Sequence, residues 1–489
     1  MASQGGGGDG RAAQAVTKWV LGLGFWVQGF RCFPWTVVNF YLKDGLGVSP
    51  STLQLLQHST NLPMVGKPLY GLVSDAVYLR GQHRLPYIAL GALLQALSWF
   101  CIALMPPTIV SVPTLTLLLL LSNLGAAIAE VANDAIVAEA GRQAHQGSAP
   151  SGHLQSFAWM FGASAGALGN LLGGVAVNQL PPSSIFFIFG VLAAAQFLVT
   201  AAIPERALNL PQKKGGVSNK SSGIRRQISE LSMALRKPEI FFSIAWFALS
   251  YAVVPILMGT MFYYQTQHLN LDPSVLGLSK VFGQLAVLAW SIAYNRRFKR
   301  VPTRKLLAAL QGTIALFMLS DALFVDGFYR RIGLPDAAYV VFFSGLQEVL
   351  FLFKVLPFSV LMAQLCPAGC EGSLMAFLMS ALALATIVSG YLGVALAAYI
   401  GVSGNDFSGL RKAVLVEAAC TLAPLWLVSW IPGDRRPEKK QQGDETIKHH
   451  RGVRSLISTL VAAVRPSSVK LLLSDFLQQM NSRHSIDWS

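Results

Sequence analysis

Lys67-Pro68-Leu69-Tyr70-Gly71-Leu72-Val73-Ser74-Asp75 sets a lysine and an aspartate into an apolar stretch, and Gly81-Gln82-His83-Arg84 follows directly beyond it. A lysine or aspartate at the centre of a bilayer costs about 2.5–3.5 kcal/mol on insertion scales, so charges in such positions serve a pathway or a gate. Glu130 and Asp134 stand four residues apart, on one face of a helix. Two carboxyls that close in a dry site do not both ionise easily, which suits proton uptake and release; the plain alternative is an interhelical salt bridge from Glu130 to Arg31 or Lys67. Arg31 lies within Gly29-Phe30-Arg31-Cys32-Phe33-Pro34-Trp35, where Gln28, Arg31 and Trp35 share a helical face. Lys354 lies in another apolar stretch with Gln347 seven residues earlier on its face. Each cation either binds an anion or balances an acid.

These charges are conspicuous because the rest of the chain is greasy. It has 489 residues, 53% hydrophobic and 12% charged, about half the charged fraction of a soluble domain. A bilayer-spanning helix needs about 20 mostly apolar residues, and twelve segments of that kind can be traced: 19–42, 51–75, 85–105, 113–139, 153–178, 183–203, 239–265, 273–295, 303–325, 337–365, 371–400 and 410–431. The expected class is an all-α membrane protein with twelve transmembrane helices in two six-helix halves, 19–203 and 239–431. Several segments carry Gly, Pro and isolated charges, as expected of helices that line a cavity. Residues 1–18 read as an N-terminal tail, 204–238 as a basic flexible linker and 432–489 as a basic tail, within which Val453–Met480 alternates apolar and basic residues like a surface-lying amphipathic helix.

The net charge of +15 would suggest nucleic acid in a soluble protein. Here Lys and Arg crowd into the loops after the second, fourth and eighth segments, the linker and the tail. That is the positive-inside bias, and it places both termini in the cytosol or on the equivalent face of an organelle. No nucleic-acid partner is expected, and a bilayer and a small-molecule substrate are; a monomer is the simplest state. The five cysteines show no metal-ligand spacing, no nucleophile motif stands at a membrane edge, and no Gly-x-x-x-x-Gly-Lys-Ser/Thr loop occurs. An enzyme, a nucleotide-driven pump and a bound cofactor are therefore not expected. No cleavable leader is expected either, and Ala2 excludes N-myristoylation.

Gly71-x-x-x-Asp75, then Gly81-x-His83-Arg84, resembles the loop signature between the second and third helices of the major facilitator superfamily. In that pattern Gly71, Asp75, Gly81 and Arg84 form a gate, with Gly71 allowing close helix approach and Asp75 pairing with Arg84 or capping a helix. Adding Glu130-Val-Ala-Asn-Asp134, Pro357 to Pro367, Glu371 to Ser380 and Gly401-Val-x-x-x-Asp406-Phe407, the chain is similar to the folate–biopterin transporter family, a branch of that superfamily, over residues 25–432. Glu130 stands where that family's pattern has aspartate. The resemblance implies a secondary carrier of folates or pterins by alternating access, and Glu130 and Asp134 are the candidates for coupling it to protons. Arg31, Lys67 and Lys354 would hold the anionic glutamate tail, Asp134 the pterin amino edge, and Trp35 or Phe30 would stack on the ring, with Gln347 nearby. Rival readings are a same-fold carrier of another organic anion and a non-transporting pterin receptor. Glu371 reads as a helix cap, the glycine pairs 162/166 and 169/173 as packing, and His58 as a bystander rather than a proton relay; Asp321, Glu348 and Glu417 receive no role.

Overall fold

In the computed structural model the described residues are 6–79, 82–106, 109–146, 153–208, 229, 231–366 and 371–433. Among them, nine helices are long and apolar enough to cross a membrane: Leu85–Leu104, Val112–Val137, Met160–Gln179, Pro182–Ala202, Pro273–Arg296, Thr303–Val325, Asp336–Met362, Ser373–Ile400 and Leu410–Trp430. The other three spans are interrupted helices. The first runs through Gly6–Phe30 and Cys32–Phe40, so its helix begins inside the segment expected as a tail. The second is broken into Pro50–Ser59, Leu62–Val65 and Lys67–Ala76, and the seventh into Pro238–Ala252 and Met258–Tyr263. Together these give the twelve-helix fold.

Each interruption has a local cause. Proline lacks the backbone N–H that a helix interior needs, and its ring collides with the preceding turn. Pro34 follows the turn at Arg31, Pro63 and Pro68 sit at the two breaks of the second span, and Pro255 lies in the gap of the seventh. Backbone groups freed in this way inside a bilayer need partners from other helices. Asn123 of the fourth span donates to the Thr60 carbonyl at 2.7 Å, and Gln54 donates to the Ile256 carbonyl at 2.6 Å.

Each half has its own apolar core. Phe33, Val37, Trp99, Phe186 and Phe189 pack together in the first half, and Trp246, Phe247, Phe358 and Met362 in the second. Outward-facing Leu117, Leu198, Leu316 and Trp426 are exposed on the bundle surface, as suits a lipid-facing wall. The first and fifth spans touch through glycine: a Cβ on Gly29 would stand 2.1 Å from the Gly162 carbonyl oxygen. This is the packing expected of the fifth span's glycine pairs.

Bonds between the halves gather toward the end opposite the basic loops. Gln54 of the second span donates to the Gly390 carbonyl at 2.8 Å and accepts from the Gly259 N–H at 2.8 Å. Tyr263 donates to the Val48 carbonyl, Ser59 bonds Tyr391 at 2.9 Å, and Asn178 donates to Asp272 at 2.9 Å. Gly393 lies so close to the seventh span that a Cβ there would come within 1.8 Å of the Ile256 carbonyl oxygen. The far end is closed in this structure.

Candidate functional site

Three interrupted or polar stretches of the first half converge on one carboxylate. Arg31 sits in the turn between the two pieces of the first span, and Lys67 opens the last piece of the second. Arg31 Nη1 lies 2.7 Å from Glu130 Oε1, and Lys67 Nζ lies 2.7 Å from Glu130 Oε2. The other arm of the guanidinium donates to Asn123 Oδ1 at 2.7 Å. The Glu130 side chain is only 9% exposed, against 15% for Arg31 and 24% for Lys67. A carboxylate this deep holds its charge only when it is paired and hydrogen-bonded, and both oxygens of Glu130 are engaged by cations. The salt-bridge alternative for Glu130 is the arrangement the fold adopts. The longer reach of Glu over Asp lets one side chain span two helices.

Asp134, one turn further along, is exposed, and its charge interacts with those of Glu130 and Lys67. No side chain among the described residues bonds it. The cluster therefore sets two cations against two carboxyls, and one of the carboxyls stays open. Behind the pair, a small pocket is lined by Gln28, Arg31, Gln95, Glu130, Asn133 and Gln196.

Lys354 and Gln347 do not join this cluster, which corrects the expectation of a three-cation site. Lys354 lies in the other half, fully buried. Its ammonium donates to the Ser250 carbonyl at 3.2 Å, to Ser250 Oγ at 3.0 Å and to Gln311 Oε1 at 2.8 Å, and sits 4.0 Å from the centre of the Tyr251 ring. Gln347 is not among the hydrogen-bond partners of Lys354, and its buried Oε1 has no partner among the described residues. The helix is interrupted at Lys354 itself, between Gly345–Phe353 and Val355–Leu365, so the simple wheel that placed the two side by side does not decide where the lysine reaches. Trp35 packs, partly buried, against the apolar core of the first half.

At the basic end, Arg84 Nη2 lies 2.6 Å from Asp75 Oδ1, and Arg84 Nη1 donates to Ser74 Oγ at 2.7 Å. Glu205, just past the sixth span, accepts the backbone N–H groups of His83 at 2.5 Å and Arg84 at 2.9 Å. His83 stacks on Tyr78 with ring centres 4.7 Å apart. The expected Asp75–Arg84 pair is present, and Glu205 is a member of it that the motif alone does not point to. Gly71 is less crowded than expected: a Cβ there would meet only Val131 Cγ1, at 3.4 Å. Gly81 and the tail segment Val453–Met480 lie outside the described residues, as does the Glu371 side chain. His58, read as a hydrogen-bonded bystander, has no partner for its buried Nε2 among the described residues and packs on Gly390.

The sequence matches the BT1 family over residues 28–451. It is 57% identical over 435 residues to a probable folate-biopterin transporter 7 of Arabidopsis thaliana, covering 89% of this chain and 97% of that one. It is 41% identical to a probable chloroplastic folate-biopterin transporter 9 of the same plant, covering 90% and 82%. Among solved structures, the nucleoside transporter NupG superposes with a TM-score of 0.61 at 13% identity, covering 85% of this chain and 99% of that one, a likeness of fold. With its twelve helices and its paired intramembrane charges, this chain is a membrane transporter belonging to the BT1 family.

Proposed function

We propose that this chain carries folates or pterins across its membrane by alternating access, with Arg31, Lys67, Glu130 and Asp134 as the substrate-binding and proton-handling cluster. The observation that supports this most is the double pairing of Glu130. An incoming substrate carboxylate offers Arg31 and Lys67 the same partner that Glu130 provides. Arg binds it through a fork and Lys as a point charge. When the substrate takes those cations, Glu130 loses its compensation, and taking up a proton restores it. Asp134, already open, is placed to accept from a pterin amino edge. The names of the similar plant proteins favour this substrate class over other organic anions.

The two ends of the bundle supply the gates. Asp75, Arg84 and Glu205 bind the basic end together within the first half, and the Gln54 contacts close the far end. Three of the far-end cations are paired with acids of the same end: Lys43 with Asp44 at 2.9 Å, Arg330 with Asp336 at 2.7 Å and Arg411 with Asp326 at 3.1 Å. That sharpens the charge asymmetry, and it supports termini on the cytosolic side.

Uptake and counterflow of labelled folate and labelled pterin in proteoliposomes test the reading. Saturable uptake and exchange of preloaded substrate are expected, with Arg31→Ala weakening apparent affinity by about tenfold or more, the worth of one charged hydrogen bond. Binding without counterflow would make the protein a receptor. Accumulation of a different anion, with no folate or pterin uptake, would replace the substrate class.

A further inference from the structure

The second half buries two acids for which the transport cluster has no use. Asp321 of the ninth span and Glu417 of the twelfth are 5% and 7% exposed. Among the described residues, no cation lies within ion-pair distance of either. Asp321 accepts from the Tyr339 hydroxyl at 3.1 Å. Glu417 stands in the sequence between Val414, which shares an apolar core with Leu257, and Ala418, which shares one with Val254, and Thr421 one turn on donates to Met318 Sδ of the ninth span at 2.9 Å.

Leu257 is in the interruption of the seventh span, and this interruption is where the far end is held shut. The Val254 carbonyl accepts from Ser389 of the eleventh span. The Ile256 carbonyl accepts from Gln54, whose carbonyl oxygen in turn accepts the Gly259 N–H. Gln54 comes from the other half of the molecule and is 1% exposed. Within a few residues, the same unwound segment thus packs on the turn of the twelfth span that carries Glu417 and makes the closing contact between the halves.

We propose that Glu417, with Asp321 beside it, is a protonation site that sets whether the far end is closed, acting through the interruption of the seventh span. The inference rests on the alternating-access reading and adds a second proton site to it. The physical reason is asymmetry of solvation. A neutral carboxyl is content in this dry setting, whereas an ionised one without a cation must be reached by water. Water reaches it when the Leu257 segment moves away, and that movement breaks the Gln54 contacts. Proton loss from Glu417 therefore opens the far end and proton uptake closes it, and the structure described here is the closed, protonated member of the pair.

The surroundings of Glu417 are consistent with one dominant titrating neighbour. The ninth span faces it with Asp321, its own helix adds Cys420 one turn on, and the seventh-span interruption 253–257 contributes no titratable side chain. Ser389 is the eleventh span's contact with that interruption. Lys354 of the tenth span reaches this region only through intermediaries. It donates to Gln311, whose amide donates to the Thr421 carbonyl at 2.8 Å, and the Thr421 hydroxyl donates to the Glu417 backbone carbonyl at 2.9 Å.

Spin labels at Asp44→Cys and Lys412→Cys, in a background with the five native cysteines replaced, report the far-end distance in the full-length reconstituted protein. No substrate is added. The short distance should dominate in acid and a longer one should grow in as the pH is raised, because burial without a cation favours the neutral carboxyl. Glu417→Gln should hold the short distance throughout. A wild-type distance that ignores pH, or a Glu417→Gln protein that keeps the wild-type response, would overturn the proposal. Gln54→Met carries the same test if Glu417→Gln does not fold: it keeps the carboxyl and cuts its route, so the long distance should dominate even in acid. A wild-type response in Gln54→Met would show that the route is wrong. Because no substrate takes part, a failed folate assay leaves this test standing, and a pH-insensitive far end alongside intact folate counterflow removes this proposal alone.

Discussion

The two halves of the bundle bury charge in opposite ways. In the first, Glu130 is gripped by Arg31 and Lys67, each 2.7 Å away. In the second, Lys354 is buried completely yet surrounded by neutral acceptors, while Asp321 and Glu417 sit apart from any described cation. The first arrangement is compensated in place, so it can remain ionised without water and can exchange one anion for another. The second is compensated only by adding or removing protons. In the functions proposed above, the difference separates two tasks within one fold: recognising a charged solute, and sensing which protonation state the bundle is in.

The contrast is easiest to break at Glu130. Removing one member of a buried ion pair typically costs about 3–5 kcal/mol, because the remaining charge is left without a partner. Glu130→Ala strands two cations, so a loss at the upper end of that range is expected, read as a large fall in the thermal midpoint of the purified protein together with lost transport. If Glu130→Ala were as stable as the parent, the pairing would not support the first half.

A smaller effect is expected at the far end. Asp272 caps the eighth span by accepting the Ser274 N–H at 2.8 Å and also accepts from Asn178 of the other half. The hydrogen bonds from Ser274 hold its carboxyl below the usual carboxylate range. A lowered value means that the stabilisation is complete above the unfolded carboxylate range, near about 3.9, and is lost only as pH falls through the lower folded value. Asp272 therefore stays ionised while buried carboxyls titrate, and Asp272→Ala should remove about 1 kcal/mol of cap without changing the pH response of the far-end distance. A pH response that disappeared with Asp272 would move the sensor out of the core and into this loop.

The smallest loss is expected from Lys354→Met, which sharpens the comparison directly. The substitution leaves the Ser250 and Gln311 acceptors short of a donor but also relieves the burial of an ammonium group, so the net change should stay within about 1 kcal/mol. Thermal unfolding of Lys354→Met beside Arg31→Met gives the contrast: a near-neutral change in the second half and a substantial loss in the first. Equal losses would mean that Lys354 has a partner equivalent to Glu130.

Much of the first half could be read from residue types. The proline and glycine positions of the second span, the Glu130–Asp134 spacing and the Asp75–Arg84 pair all rest on local geometry, and local geometry survives folding. The position of Lys354 is not legible in this way, because a helical face says which residues sit side by side on one helix, not which neighbouring helix receives them. Glu205 carries no local signal for a related reason: it lies 121 residues from Arg84, whose backbone it holds. Gln54 is a single amide in an apolar segment, with nothing in its surroundings to distinguish it from any other, yet it bonds backbone more than 200 residues away.

What the sequence by itself determined was the membrane, the number of spans, their polarity of charge and the identity of the residues too costly to bury without purpose. Hydrophobic run length and charge cost act on each segment separately, so they need no knowledge of the fold. What only the tertiary structure decided was the partnership. It sent Arg31 and Lys67 to one carboxylate, left Lys354 among neutral acceptors, and brought the interruption of the seventh span between Glu417 and Gln54. The worth of a buried charge depends on what stands within a few ångströms of it, and those distances exist only once the helices have packed.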